Sequence, residues 1–147
     1  MRRRQIGIAA FVLMSLGLLT GCASSAPAEN TSNGELRAAL LRGVAQIRGT
    51  HDVVKARVTV LHTLAQLRSV RTSTPADADA QRLAIRGFAS TLRGIENRLA
   101  FIQNDSGNVE AATRDAKRAD RSLKEGANLL RAAGRKLGIE VGSLDGY

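Results

Sequence analysis

The chain has 147 residues, a length that allows one compact domain with or without a tail. Aromatic residues make up 3% of the chain and tryptophan is absent, which largely excludes stacking platforms for bases or sugars. A single cysteine excludes an internal disulfide framework and any multi-cysteine metal site. The 22 Lys and Arg residues against 13 Asp and Glu give a formal charge of +9, which by itself does not define a partner.

The N-terminal segment has the organisation of a secretion signal. Arg2, Arg3 and Arg4 precede an uncharged run of apolar and small residues over positions 6–20. A helix that spans a bilayer needs about 20 apolar residues, so this run is too short to be one. A basic head followed by a shorter apolar run is typical of a secretory signal peptide.

The apolar run ends in Leu19-Thr20-Gly21-Cys22, which resembles the lipobox of bacterial lipoproteins. That motif places an aliphatic residue three positions before a cysteine, with small residues between them. The resemblance covers only the N-terminal segment. It implies that cleavage occurs before Cys22, that the Cys22 thiol carries a diacylglycerol, and that the new amino group is open to acylation. The alternative is a non-lipidated signal peptide or an uncleaved anchor in which Cys22 has no role.

The same resemblance implies where the mature chain is located. Ala23 and Ser24 follow the cysteine, and neither is the aspartate that marks a lipoprotein for retention at the inner membrane. In a host with two membranes the expected location is therefore the outer membrane. In a host with one membrane it is the outer leaflet of the cell membrane. Residues 1–21 are the expected signal peptide, and residues 22–34 are the lipidated cysteine and a flexible linker without large apolar side chains.

Apolar periodicity predicts three helical stretches within residues 35–138. The first stretch, 35–71, carries apolar residues near a 3–4 spacing at Leu36, Leu40, Ile47, Val54, Leu61 and Leu64. Gly49-Thr50-His51-Asp52 is a weak point, since glycine in a helix costs about 1 kcal/mol relative to alanine. Either a kink or two shorter helices is expected there.

The second and third stretches have clear starts and regular seams. Thr74 and Pro75 suit the cap and first position of the second helix. Its apolar residues form the heptad seam Ile85, Phe88, Leu92, Ile95, Leu99 and Ile102. The third stretch ends before Gly138 and has two seam columns, Val109, Ala116, Leu123, Leu130 and Leu137, and Ala112, Ala119, Gly126 and Ala133. The second column is entirely small, which predicts close approach of a neighbouring helix, and Gly87 and Gly94 indicate the same.

These stretches predict an all-α fold, an elongated antiparallel up-down-up three-helix bundle followed by a C-terminal tail at 139–147. Short connections at 72–74 and 105–108 require successive helices to run antiparallel. A self-associating coiled coil is the alternative, because the same seams would then pack against copies of themselves.

The positive charge is concentrated on the third stretch. Removal of the signal peptide takes away Arg2, Arg3 and Arg4 and lowers the formal charge from +9 to +6. Local pairs are expected between Glu110 and Arg114, Asp120 and Lys124, and Asp115 and Arg118. The candidate anion-binding residues opposite the seam are Arg114, Lys117, Arg118, Arg121, Lys124, Arg131 and Arg135. They form either a surface for anionic lipid, lipopolysaccharide phosphate or wall polymer, or a solvated face enriched in arginine by codon usage.

No catalytic or metal-binding constellation can be assigned. His51 and His62 are eleven residues apart, which corresponds to about 16 Å along a helix, too far for one metal ion. We therefore expect no enzyme activity, no cofactor and no metal site. Nucleic acid is not an expected partner, because export separates the chain from most of it and no recognition motif is present.

Two functions are compatible with these features. The first is a non-catalytic, lipid-anchored envelope protein whose helical rod binds an envelope protein or itself. The second is a polyanion-binding module that uses the basic face of the third helix.

Overall fold

The computed structural model describes residues 29–103 and 107–142, which form four α-helices and, within that part of the chain, no β-strand. Helix α1 spans Glu29–Arg48, α2 spans Val53–Ser69, α3 spans Pro75–Gln103 and α4 spans Val109–Leu137. The all-α class is therefore confirmed. The predicted signal peptide, Cys22 and residues 23–28 of the predicted linker lie outside the described residues, as do residues 143–147.

The first predicted stretch is two helices, so residues 29–103 and 107–142 form four helices instead of the predicted three. The break at residues 49–52 has its own hydrogen bonds. Thr50 Oγ1 donates to the carbonyl of Gln46 at 2.8 Å. The Asp52 carboxylate caps α2 by accepting from the backbone N–H groups of Val54 and Lys55, at 2.8 and 3.2 Å. Of the two alternatives at this weak point, two shorter helices is the one found.

The break also changes which residues are buried. Leu36, Leu40 and Ile47 of α1 lie in the core, as predicted. Val54 and Leu61, which the sequence pattern placed on the same seam, are 59% and 41% exposed. Their assignment to the core is wrong because the rotation of α2 is set independently once the helix has been interrupted. Leu64, which the sequence pattern also placed on that seam, is buried as predicted, together with Ala56, Val60, Thr63 and Leu67.

Contacts between helix ends define how the helices run. Arg57, near the start of α2, pairs with Glu96 in the second half of α3, with Nε and Oε1 3.3 Å apart. Lys136 at the end of α4 pairs with Asp79 at the start of α3, with Nζ and Oδ2 3.5 Å apart. Adjacent helices in these two pairs are therefore antiparallel. Asn33 Nδ2 of α1 donates to Asp77 Oδ1 at 2.9 Å, so α1 begins at the end of the molecule where α3 begins.

Glycines allow α3 and α4 to pack closely. A Cβ added at Gly87 would come within 2.8 Å of Leu130 Cδ2, and one added at Gly94 within 2.6 Å of Leu123 Cγ. Both distances are shorter than non-bonded carbon atoms tolerate, so alanine at either position would require a shift. The small residues Ala119, Gly126 and Ala133 of the second α4 column are buried at this interface. The predicted close approach is confirmed.

The α3–α4 hairpin is longer than the two helices that cover it. Helices α3 and α4 have 29 residues each, about 43 Å, whereas α1 and α2 have 20 and 17 residues, about 30 and 25 Å. Ile102 and Val109 at the end of the hairpin are consequently 62% and 77% exposed. The sequence pattern assigned both to buried seams, and that assignment is wrong because α1 and α2 do not reach them.

Two predicted boundaries differ from the structure. Helix α1 begins at Glu29, inside the segment 22–34 that was assigned to a linker. At the other end, Gly138 ends α4 with a positive φ of 65°, and Ile139 N–H donates to the carbonyl of Gly134 at 3.0 Å. Val141 is buried in the core, so the first residues of the predicted tail 139–147 belong to the packed structure.

Candidate functional site

The basic face of α4 is exposed along its length. The candidate side chains, Arg114, Lys117, Arg118, Arg121, Lys124, Arg131 and Arg135, all lie on the solvent side of the helix. The opposite side of α4 is buried and includes Ala119, Leu130 and Leu137. The interval from Arg114 to Arg135 corresponds to about 31 Å along the helix axis. The structure thus places all seven predicted residues on one elongated surface.

The ion pairs that α4 makes differ from those expected from sequence spacing. The predicted pair of Asp115 and Arg118 is found, with Oδ1 and Nη1 3.7 Å apart. Asp120, expected to pair with Lys124, instead lies 3.8 Å from Nη2 of Arg98 on α3. Within the described residues Glu110 makes no ion pair, so its expected pairing with Arg114 is not found. Sequence spacing identifies neighbours on the same helix only, whereas Arg98, the cation next to Asp120, belongs to α3.

Glu125 of α4 also contacts side chains of α3. Its Oε2 lies 3.7 Å from Nη2 of Arg93 and 2.9 Å from the hydroxyl of Ser90, which donates to it. Ser90 is fully buried, and its hydroxyl also lies 3.0 Å from the carbonyl oxygen of Ser122. Ser90 has no signal in the sequence, because an isolated serine in a helix carries no motif.

This redistribution leaves several α4 cations without a counter-charge. In the described part of the chain, Arg114, Lys117, Lys124 and Arg135 make no ion pair. Arg121 Nε donates to the carbonyl of Lys117 on its own helix at 3.4 Å. Arg131 likewise bonds to its own helix, through Ala127 O at 3.4 Å and Asn128 Oδ1 at 2.7 Å. The exposed face therefore keeps most of its positive charge.

A second charged cluster lies where the N-terminal end of α3 meets the C-terminal end of α4. Arg82 pairs with Asp79 on the same helix, and Lys136 reaches the Asp79 carboxylate from α4. The hydrogen bond and the charge of Arg82, followed by those of Lys136, hold the pKa of Asp79 below its usual value of 3.8. Together with Leu83 and Arg86 these residues line a shallow depression. The acceptor in it is already occupied by two cations, so the cluster is a surface ion network.

The two histidines lie in different parts of the structure. His51 lies in the connection between α1 and α2, and His62 lies on α2 with its Nε2 3.0 Å from Nε2 of Gln66. Among residues 29–103 and 107–142, no group of three or more His, Cys, Asp or Glu side chains is placed to hold a metal ion.

Apolar side chains are exposed where the α3–α4 hairpin extends past α1 and α2. We refer to Phe101, Ile102 and Val109 as the hairpin-end cluster. Ile102 and Val109 continue the α3 and α4 seams, whose other residues are buried or half-buried. The cluster is therefore a piece of helix–helix interface for which the described chain supplies no further helix.

Comparisons with other proteins do not extend these observations. A scan against protein-family models and searches of the curated proteins and of the solved structures gave no match. None of the helices in the described residues combines the length and the apolar character that crossing a membrane requires.

Proposed function

We propose that this chain is a non-catalytic, lipid-anchored protein of the cell envelope whose antiparallel helical bundle binds a protein partner or a second copy of itself. The lipobox-like sequence Leu19-Thr20-Gly21-Cys22 supports the anchor. Two or three acyl chains, at about 0.8 kcal/mol for each buried CH₂, hold a protein firmly at a membrane. The expected membrane is the outer membrane of a two-membrane host or the cell membrane of a one-membrane host. The proposed activity needs no cofactor.

The anchor is tested by metabolic labelling of the producing bacterium with a fatty-acid analogue. We expect the wild-type chain to incorporate the label and the Cys22→Ser chain to lack it. Equal labelling of both chains would show that the lipid is attached at a residue other than Cys22. Absence of label from both chains would contradict the lipid anchor.

The observation that carries the binding function is the hairpin-end cluster. Ile102 and Val109 occupy seam positions, yet they are among the most exposed large apolar residues of the described chain. Apolar residues in a seam normally pack against another helix. A helix from a partner or from a second copy would bury them as the neighbouring helices of the bundle bury Phe88, Ile95 and Leu130 of the same seams.

Mild cross-linking in cells tests this function. We expect the wild-type chain to give one discrete cross-linked product and Ile102→Asp to lose it, because a carboxylate at that position cannot be buried in an apolar interface. Leu41→Asp is the matched control, since it introduces the same charge at an exposed apolar position on α1. A wild-type chain that remains strictly monomeric and without a partner would contradict the function.

The unpaired cations of α4 favour a second candidate function, the binding of an anionic polymer or lipid headgroup. Summed attraction from Arg114, Lys117, Lys124 and Arg135 would act along one face and would be screened by salt. With inorganic polyphosphate as the probe, we expect affinity to fall about tenfold between low and physiological salt. We expect a comparable loss when Arg114, Arg121 and Arg135 are changed together to glutamine.

The control for this experiment has the same change in net charge at residues outside α4. Arg37 and Arg42 are exposed on α1 and Arg71 is exposed in the connection between α2 and α3, so their combined change to glutamine should leave most of the binding intact. Equal losses for the two triple variants would show that net charge alone attracts the probe, and would reject the α4 face as a site.

A further inference from the structure

Helix α2 is apolar on its outer side as well as on the side that faces the core. Val54, Val58, Leu61 and Ala65 are spaced by four, three and four residues, which places them on one line of the helix surface. All four are exposed, Val58 to 60%. We call them the outer α2 stripe. A contiguous apolar stripe left on a protein surface is typical of an interaction site.

The bundle itself does not cover this stripe. In the described part of the chain, α2 packs against α1 and α3 and makes no contact with α4. The buried residues of α2, such as Ala56, Val60 and Leu67, are used in these contacts. The outer α2 stripe points away from them.

The charges beside the stripe are all positive. Helix α2, with the sequence VVKARVTVLHTLAQLRS, contains no aspartate or glutamate. Lys55, Arg57 and Arg68 are exposed on it. Arg57 is paired with Glu96 of α3, whereas Lys55 and Arg68 make no ion pair within the described residues. An apolar stripe flanked by cations is the composition of helices that lie on anionic membrane surfaces.

We propose that the outer α2 stripe docks on a surface of anionic phospholipid, with Lys55 and Arg68 beside the lipid phosphates. This inference rests on the proposed anchor at Cys22. Six residues, 23–28, lie between Cys22 and Glu29 at the start of α1, and the seven steps from Cys22 to Glu29 span about 23 Å at full extension. The anchored bundle is thereby kept within reach of the membrane that holds its lipid.

The packing of the helices places the C-terminal end of α2 at the end of the bundle where α1 begins. The bond from Asn33 to Asp77 puts the start of α1 beside the start of α3. Gln81 near the start of α3 bonds to the carbonyls of Leu67 and Val70 at the end of α2. The end of α2 and the anchored end of α1 therefore share one end of the molecule.

Charge complementarity selects the lipid over a second copy. Two α2 helices packed through their stripes would bring Lys55, Arg57 and Arg68 of each copy together, with no acidic residue on either helix to compensate. Anionic phosphates supply the missing counter-charge. Since α2 and α4 do not touch, docking through α2 leaves the basic face of α4 free for another ligand.

A spin label measures the docking directly. The full lipidated chain carrying Ala65→Cys is labelled with a nitroxide and reconstituted in vesicles of phosphatidylethanolamine and phosphatidylglycerol, or of phosphatidylcholine alone. Compared with the phosphatidylcholine vesicles, the anionic vesicles should at least double the rate at which oxygen collides with the label. They should also at least halve the rate of collision with a water-soluble paramagnetic reagent. The control label at Ala100→Cys, exposed on α3, should behave alike in both vesicles.

Two further substitutions test the cause of any immersion. Val58→Asp in the Ala65→Cys chain should return the label to water, whereas Leu41→Asp, which puts the same charge at an exposed apolar position of α1, should not. A label at position 65 that stays equally aqueous in both vesicles would overturn the proposal. Dipolar broadening that is the same in both vesicle types would overturn it in favour of a second copy.

The parent chain without an introduced cysteine separates this proposal from the proposed anchor. If Cys22 carries lipid, the parent takes up no nitroxide, because its only sulfur is a thioether. Labelling of the parent would therefore show failure of the anchor, whereas an unlabelled parent with an aqueous label at position 65 would show failure of the docking alone.

Discussion

Gly126 of α4 packs directly against Thr91 of α3, with no room for a side chain between them. A Cβ at Gly126 would overlap Thr91 Oγ1 and lie 2.9 Å from the carbonyl oxygen of Gly87 and 3.0 Å from the backbone nitrogen of Thr91. The last two atoms belong to the main chain of α3, so they move only if the helix moves. Thr91 Oγ1 is itself held at 3.0 Å by its hydrogen bond to Gly87 O. The spacing of α3 and α4 depends on this glycine.

We therefore predict that Gly126→Ala lowers the free energy of unfolding by about 1–3 kcal/mol, the usual cost of overpacking. This outcome opposes helix propensity, which favours alanine by about 1 kcal/mol. Gly34→Ala is the control, because Gly34 is in α1 with no atom near its missing Cβ, and it should raise stability. Urea unfolding measures both. A Gly126→Ala chain as stable as Gly34→Ala would contradict the close packing.

The break between α1 and α2 depends on the Asp52 cap. Asp52→Ala removes the acceptor for the Val54 and Lys55 N–H groups and should lower the free energy of unfolding by about 1 kcal/mol. Asp52→Asn keeps an acceptor oxygen and should lose much less in the same denaturant titration. Equal losses for the two variants would mean that the cap is not what starts α2.

Gln81 holds the end of α2 against the start of α3. Its side-chain amide donates to the carbonyls of Leu67 and Val70 at 2.6 and 2.7 Å. A carboxylate has no proton to donate at neutral pH, so Gln81→Glu should lower the free energy of unfolding by about 2 kcal/mol. Gln46→Glu makes the same change at an exposed position of α1 and should stay within about 0.5 kcal/mol of wild type. Similar losses at both positions would reject the bridging role of Gln81.

Asp79 is predicted to titrate below 3.8, mainly because of Arg82. Its folded pKa is lower than its unfolded pKa, so the stabilisation is present above about pH 4 and is lost as pH falls through the folded pKa. An NMR titration of the Asp79 carboxyl carbon measures this value directly. Arg82→Gln should raise the pKa more than Lys136→Gln does. The reverse order would show that the contact with α4 is the stronger one.

Local signals predicted much of the helical structure. Pro75 and Val109 are the first residues of α3 and α4, as the cap signals and the seam indicated. The stop at Gly138 follows from its positive φ of 65°, which suits glycine. Close approach of α3 and α4 was visible in Gly87 and Gly94 because small residues repeated along one helical line. Each of these features is encoded within one helix.

Features that involve two helices could not be predicted in this way. Val54 and Leu61 continue the apolar spacing of α1, but their burial depends on how α2 rotates after the break. Asp120 has a basic neighbour four residues along its own helix, yet Arg98 of α3 is the cation it meets. The early start of α1 also carries no apolar signal, since residues 29–35 contain no apolar side chain large enough to define a period. Apolar spacing describes one helix at a time, whereas these outcomes are decided by its neighbours.

The state of the sulfur atom at Cys22 decides whether this chain works at a membrane. Intact mass spectrometry of the protein purified from bacterial membranes should show a chain that begins at Cys22 and carries the mass of a diacylglycerol, with or without one further acyl group. An unmodified thiol on a chain that still contains residues 1–21 would contradict the account, because neither the anchor nor export of the helical bundle would then have support.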